Sequence, residues 1–272
     1  GKDILTTHAV YWPTMLMSAG LSLPNGIFAH GWWLSGEAKM SKSVGNVVDP
    51  LGLIKEYGVD PVRYYLMREM VLGNDASFTM ESFIKRYNSD LANDFGNLLN
   101  RTINMINKYF DSKVYKPEKS YFEFDAQLID LVFETIEAYK TNMDILNVSK
   151  AIQEIWTLIS RTNKYIDETK PWVLAKDEEA KKELNSVLYN LVESLRHIGI
   201  LLSPILINSS KELFEQLNID EELRTWDSLT WGKLGDLLVT DKPTPIFPRL
   251  DNKIEEEYIH DLLNVKDEKA KP

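Results

Sequence analysis

From Met80 onward this chain carries apolar residues at helical spacing and almost nothing that favours strands, and that switch constrains its fold more than any other feature. Breaks fall at Lys116-Pro117, Asn147, Lys170-Pro171 and Ser203-Pro204, where proline cannot continue a helix and asparagine favours a turn. The pattern predicts helices near 80–110, 125–144, 147–168, 178–202 and 204–217. Connections this short require neighbouring helices to pack antiparallel or nearly so, as an α-helical bundle. Pro243, Pro245 and Pro248 mark a stiff extended segment after it, and residues 254–272 are highly charged and read as helical or frayed.

The part before Met80 reads differently. Thr6 to Ala19 suits one helix turning around Pro13, and Gly26 to Trp33 reads as a buried strand. Asp49-Pro50 opens a helix, with proline at its favoured first position, and Gly58 stops it. Asp60-Pro61 repeats the device for a second helix through Tyr64, Leu66 and Met70. The expected fold is mainly α: the end of an α/β domain over 1–50, a connecting helical segment over 51–80, a helical domain over 81–250 and a charged tail over 251–272.

A length of 272 residues suffices for a sizeable core and for two domains. Hydrophobic residues at 44% and charged residues at 26% are ordinary globular values, which sets disorder aside. With no cysteine, the chain can form neither a disulfide nor a thiolate zinc site. No apolar run approaches the roughly 20 residues that span a bilayer. Gly1-Lys2-Asp3 opens without a signal-peptide pattern, so a soluble, cytoplasmic protein with no membrane partner is expected. The net charge of −10 argues against indiscriminate nucleic-acid binding but leaves room for a locally basic reading surface.

One stretch suits work on phosphates. In Lys39-Met40-Ser41-Lys42-Ser43 two ammonium groups stand three residues apart among small hydroxyl and flexible side chains. Gly36 before it and Gly45 after it allow close backbone approach to a ligand. Such a cationic loop can hold a triphosphate while it reacts. A solvated Lys/Ser turn is the bland alternative for an isolated pentapeptide. The whole run from His30-Gly31 through Val44-Gly45-Asn46-Val47-Val48-Asp49-Pro50, preceded by Gly1-Lys2-Asp3-Ile4, His8 and Tyr11-Trp12-Pro13, resembles the second signature of class I aminoacyl-tRNA synthetases as it stands in the methionyl-tRNA synthetase family. The resemblance extends over nearly all of residues 1–250.

That resemblance implies a Rossmann-type catalytic remnant over 1–50 with the signature loop, and an anticodon-binding domain over 81–250. It implies methionine–tRNA ligase chemistry. Methionine's carboxylate attacks the α-phosphate of ATP, held with Mg2+, pyrophosphate leaves, and the acyl group passes to tRNA(Met). No protein nucleophile is needed, so positioning and charge stabilisation carry the catalysis. Lys39 and Lys42 fit as mobile counter-charges, Lys42 being the stronger candidate for transition-state contact, with Met40, Ser41 and Ser43 completing the loop. Gly1 and Asp3 are implied to border the adenosine, the Asp3 carboxylate facing the ribose hydroxyls, as an ionised carboxylate can. A helix N-cap is the alternative for Asp3. His8 is implied to line the methionine pocket, although a lone His on an apolar helix is more often a satisfied packing residue. His30-Gly31 matches the pair beside the adenine and Trp33 its apolar neighbour, which leaves Trp32 to the core. No metal site is expected within the chain.

The long helix carries a second constellation: Asn88, Asp90, Asn93, Asn97, Asn100 and Arg101. Asn93, Asn97 and Arg101 fall at i, i+4 and i+8, on one face, leaving Leu91, Phe95, Leu98 and Leu99 free to pack. An Asn offers donor and acceptor together to a base edge, and an Arg can pair with phosphate or stack. Polar packing against neighbouring helices is the alternative. The resemblance implies that these three, with Trp172 after Lys170-Pro171, read the anticodon, the tryptophan offering its face to an unstacked base. Between Lys85 and Lys108 the basic Lys85, Arg86, Arg101 and Lys108 outweigh the acidic Asp90 and Asp94. Trp156, Trp226 and Trp231 have no polar company at matching spacing and are assigned to packing.

Nothing in the chain matches the first class I signature, a His-x-Gly-His-like motif. The chain therefore reads as a C-terminal piece whose partner is the N-terminal half of the same active site, and alone it should not make adenylate. Three other readings remain: a leucine-, valine- or cysteine-type synthetase, disfavoured by the Asn93/Asn97/Arg101/Trp172 set; a non-catalytic tRNA-binding module, disfavoured by both loop lysines, Asp3 and His8; and a purely structural helical scaffold, which leaves the glycine-flanked loop unexplained.

Overall fold

The computed structural model describes residues 1–40 and 47–251. Ser41, Lys42 and Ser43 lie outside the described residues, as does the charged end from 252 onward.

A three-residue 3-10 turn (Lys2–Ile4) leads into one continuous helical stretch, a π-helical segment (Thr7–Tyr11) followed by α1 (Trp12–Ser18) with Pro13 in its first turn. None of its residues is buried. The strand expected over Gly26–Trp33 forms only at its end. β1 is Trp33–Ser35, and Ile27 and Phe28 are exposed. A strand needs a ladder partner, and the parallel neighbour β3 (Ala76–Phe78) runs alongside only from Trp33 onward. β2 (Ala38–Lys39) folds back antiparallel on β1, giving the order β2-β1-β3. Gly31 is forced here: a Cβ would stand 2.0 Å from the Asn74 carbonyl oxygen.

α2 (Pro50–Tyr57) starts where the Asp49 carboxylate accepts the Leu51 N–H at 3.1 Å, and it ends at Gly58 with φ of 84°. α3 (Val59–Glu69) follows at once and joins two cores. Its Tyr64 enters the main core, while Val62 and Tyr65 pack with Phe78, Phe83 and Ile84 in a smaller one that also takes Trp33 and Met40. Its ends are tied down. The buried Asp60 carboxylate accepts the Ser209 N–H at 2.7 Å, Arg63 donates to the carbonyls of Pro204 and Ile205, and the Ser149 hydroxyl donates to the Arg68 carbonyl.

From Met80 the chain runs helical to Phe110, as α4 (Met80–Arg86), a π-helical segment (Tyr87–Gly96) and α5 (Asn97–Phe110). The ten-residue π segment is not signalled by the sequence. α6 (Glu123–Asp144) and α7 (Val148–Thr169) form the most extensively packed helix pair, α8 (Pro171–Leu174) is one turn, and α9 (Lys181–Leu202) is the central helix. The predicted start of that helix at 178 is a separate 3-10 turn, Glu178–Ala180. α10 (Ile207–Gln216) begins three residues later than expected because the chain turns at Pro204 first. Its closeness to α9 depends on Gly199, where a Cβ would come within 2.8 Å of the Phe214 ring.

The core is a continuous apolar body built from Phe95, Leu98, Leu99 and Ile103, from Leu128 and Val132, and from Ile152, Ile155 and Ile159 around Leu188, Leu191 and Leu195. A small antiparallel ladder, β4 (Lys113–Val114) with β5 (Leu237–Leu238), ties the segment after the bundle to its side, although the sequence shows no strand signal there. Trp156 is buried against Tyr64 and Trp231 stacks on His197, both packing roles. Trp226 lies against the Tyr139 ring but is 45% exposed, so it packs at the surface and not in the core. Among the described residues no helix is long and apolar enough to cross a membrane.

Candidate functional site

Two groups of residues face solvent where the sequence places function. The first surrounds Trp32. The Asp3 carboxylate accepts the Lys39 ammonium at 2.7 Å through Oδ1 and the Trp32 indole N–H at 2.6 Å through Oδ2. These two contacts outweigh desolvation and hold the Asp3 carboxyl below the usual range, the Lys39 hydrogen bond contributing most. The Lys39 ammonium also lies 4.3 Å from the centre of the Trp32 ring, and that of Lys2 lies 4.0 Å from it. Lys2 is held in turn by Asp75 at 2.7 Å, and Asp75 also accepts the Trp32 backbone N–H at 2.8 Å. The Lys2 hydrogen bond keeps the Asp75 carboxyl low.

Gly1 sits against the His30 ring, where a Cβ would be 3.5 Å from Cε1, and the Lys2 N–H donates to the His30 carbonyl at 2.9 Å. Gly1, Asp3, His30 and Lys39 thus meet around one indole, although Asp3 and Lys39 are 36 residues apart. Gly31 is buried beside them. Trp33 and Met40 turn the other way, Trp33 lying 6.0 Å from Tyr65, ring to ring, and both packing on the smaller core. Trp32 is therefore not a core residue. Strand alternation carried the signal for this: with Trp33 given to the core, its neighbour must point outward. Lys2 and Asp75 had no signal, because a distant carboxylate cannot be matched to its lysine from sequence. His8 lies exposed on the first helical stretch, its Nδ1 at 3.0 Å from the Ile4 carbonyl oxygen and its ring edge-on to Trp12.

The second group lies on the long helix. Asn93 and Asn97 are exposed, and neither makes a side-chain hydrogen bond among the described residues. Arg101 is half-buried and reaches Asp167 of α7 at 3.5 Å. The Asn163 amide donates to the Asp94 carbonyl at 3.1 Å, so the end of α7 runs beside this face. Trp172 follows after Lys170 adopts a left-handed conformation at φ of 47°; Pro171 is buried, and the Trp172 ring is left 42% exposed next to exposed Val173. The π segment alters the expected spacing. The Asn97 N–H bonds to the Ala92 carbonyl, five residues back, so Asn93 and Asn97 are not separated by one ideal α-turn.

The remaining polar residues of that helix are structural. Asn88 pairs with both backbone groups of Leu250, and Asp90 accepts the Tyr64 hydroxyl at 2.6 Å and the Arg86 guanidinium at 3.1 Å. Asn100 accepts from Asn104. The geometry therefore divides the stripe into an anchored part and an outward pair. Among the described residues no cluster of His, Asp or Glu side chains could hold a metal ion.

Comparison with known proteins covers both groups. Residues 1–103 match the family of class I tRNA synthetases of the methionine type, and residues 117–264 match the anticodon-binding domain of methionyl-tRNA ligase. The methionine–tRNA ligase of Bacillus subtilis is 53% identical over 261 residues, covering 95% of this chain and 39% of that protein. That of Listeria monocytogenes is 51% identical over 266 residues, or 97% of this chain and 40% of its own length. The chain thus spans about two fifths of the curated relatives it matches. Crystal structures of Mycobacterium tuberculosis methionyl-tRNA synthetase superpose with a TM-score of 0.84 for the apo form and 0.86 for the form bound by methionyl-adenylate. Identities there are 34% and 37%, over 92% and 91% of this chain and 49% of each of theirs. The chain belongs to the methionyl-tRNA synthetase family of class I aminoacyl-tRNA synthetases, carrying its signature-string region and its anticodon-binding domain.

Proposed function

We propose that this chain supplies one side of the ATP site and the anticodon-reading surface of a cytoplasmic methionine–tRNA ligase. Asp3 faces the ribose, and Gly1, His30 and Gly31 border the adenosine. Lys39 and Lys42 serve as phosphate counter-charges alongside Met40, Ser41 and Ser43. Trp33 supports the adenine side from behind, through the small core. His8 faces the methionine pocket, whose other wall comes from the N-terminal half of the enzyme. Mg2+ arrives with the triphosphate. Asn93, Asn97, Arg101 and Trp172 read the anticodon of tRNA(Met). We retain the division into 1–50, 51–80, 81–250 and 251–272 for these roles.

The observation that carries this reading is the approach of Lys39 to Asp3. Two residues that the resemblance matches to phosphate and to ribose, 36 positions apart in the chain, lie 2.7 Å apart, within the span of one nucleotide. Catalysis then rests on charge placement: the lysines offset charge growing on the pyrophosphate leaving group, and Asp3 fixes the sugar from which the α-phosphate hangs. The test is methionine-dependent exchange of pyrophosphate into ATP by the full-length protein, with Asp3→Ala and Lys42→Ala beside it. Exchange that survives both changes at full rate contradicts the assignment.

A further inference from the structure

The Asp3 carboxylate is already engaged. Oδ1 takes the Lys39 ammonium and Oδ2 takes the Trp32 N–H. A vicinal diol donates two hydrogen bonds, and on Oδ1 it must share the oxygen with the Lys39 ammonium at 2.7 Å. The neighbouring carboxylate shows that this is a particular arrangement, since Asp75 is engaged by Lys2 and by the Trp32 backbone, leaving Lys39 the ammonium on Asp3. Asp3 and Lys39 side chains are 47% and 56% exposed, so the ion pair is screened and exchanges at little cost. While paired with Asp3, the Lys39 ammonium already lies 4.3 Å from the centre of the Trp32 ring, a second attraction that does not depend on the carboxylate.

We propose that Asp3 is a contested acceptor: Lys39 occupies it until a nucleoside's vicinal diol displaces the ammonium, which then becomes available to phosphate. Trp32 is the positioning residue of this exchange. Its N–H fixes the carboxylate by one oxygen and its ring keeps the displaced ammonium nearby. The inference rests on the reading of Asp3 as the ribose acceptor. It adds an order of events, sugar first and phosphate second, and a specific opposition between the two halves of the ligand. For a nucleoside without phosphates Lys39 is only a competitor, whereas for ATP it is also a ligand.

The test is calorimetric binding of adenosine, 2′,3′-dideoxyadenosine and ATP to the full-length protein and its variants. Lys39→Met should tighten adenosine about two- to five-fold, the usual worth of an exposed ion pair, while weakening ATP. It should leave the dideoxy nucleoside, which does not compete for Asp3, unchanged. Lys39→Arg should restore the parent pattern, and Trp32→Phe, which keeps an aromatic face but loses the N–H, should weaken adenosine without touching the dideoxy compound. If adenosine binding is unchanged or weaker in Lys39→Met, or if both nucleosides gain equally, the displacement is overturned. Asp3→Ala separates the layers. Adenosine affinity lost there but not raised in Lys39→Met sinks the inference alone, while affinity untouched by Asp3→Ala sinks the ribose reading beneath it as well.

Discussion

The corner around Trp32 and the helical bundle are held together by different physics. Around Trp32 the contacts are ionic and exposed, and the helical stretch from Thr7 to Ser18 buries none of its own residues, leaving Val10, Tyr11, Trp12, Met15 and Met17 in solvent. In the bundle, α9 alone buries an unbroken run from Val187 to Leu202, and even its charges are enclosed. Glu193 and Arg196 pair at 2.8 Å with no exposure, and the guanidinium is completed by the carbonyls of Ser228 and Thr230. The difference teaches that the bundle is a finished folding unit within this chain, whereas the corner presents apolar and ionic surface for something else to complete.

The most severe way to break that contrast is to truncate each region's side chains. Phe95→Ala, at a position with no exposure, should cost about 3–5 kcal/mol of stability, while Met15→Ala should stay within about 0.5 kcal/mol. Denaturant melts of both variants decide it, and equal losses would deny the contrast. On the activity side, Lys42→Ala in the full-length protein should lower the exchange rate by about 3–4 kcal/mol of transition-state stabilisation with methionine affinity unchanged. The isolated 272-residue chain should show no exchange at all.

A smaller effect belongs to the bundle alone. Burial, then the adjacent Arg196, pushes the His197 imidazole down to about 4. The unfolded chain binds that proton from pH 6.5 downward and the folded one does not. His197 therefore adds nothing to pH dependence above about 6.5, and stability falls between there and about 4 by on the order of 2–3 kcal/mol. Melts of the parent and of His197→Gln across that window should diverge in slope; identical slopes would show that His197 does not titrate this way.

Much of this contrast is legible in the sequence, and the failures have physical reasons. Proline and asparagine punctuate the bundle so clearly that the helices ending at Asp144, Thr169 and Leu202 emerge from these breaks and the apolar periodicity between them. Gly26–Trp33 misleads because an apolar run says nothing about whether a neighbouring strand is present. The π segment is invisible because its apolar residues keep a helical spacing and nothing local in the sequence separates i→i+5 from i→i+4 bonding. Pairings across long separations, such as Lys2 with Asp75 or Arg101 with Asp167, are set by the fold and leave no local trace. The signature string identifies the family from a few dozen residues, yet it gives no hint that Lys39 rests on Asp3.

The finest effects sharpen the contrast by asking whether the bundle's outward residues read nucleic acid without the corner. Asn97→Ala should cut discrimination against a wrong anticodon base by about 1–3 kcal/mol. Arg101→Ala should flatten the salt dependence of binding if the guanidinium leaves Asp167 for phosphate, and leave it unchanged if it reads a base.

The proposal that the outward residues of this bundle read the anticodon is tested most directly by binding of methionine-anticodon and mismatched stem-loops to the 272-residue chain and to its Trp172→Ala variant, with a melting curve for each. The account predicts preference for the matched loop by the parent chain, a loss of about 1–3 kcal/mol in the variant, and melting temperatures that coincide. A variant that melts early while keeping its anticodon preference would contradict it.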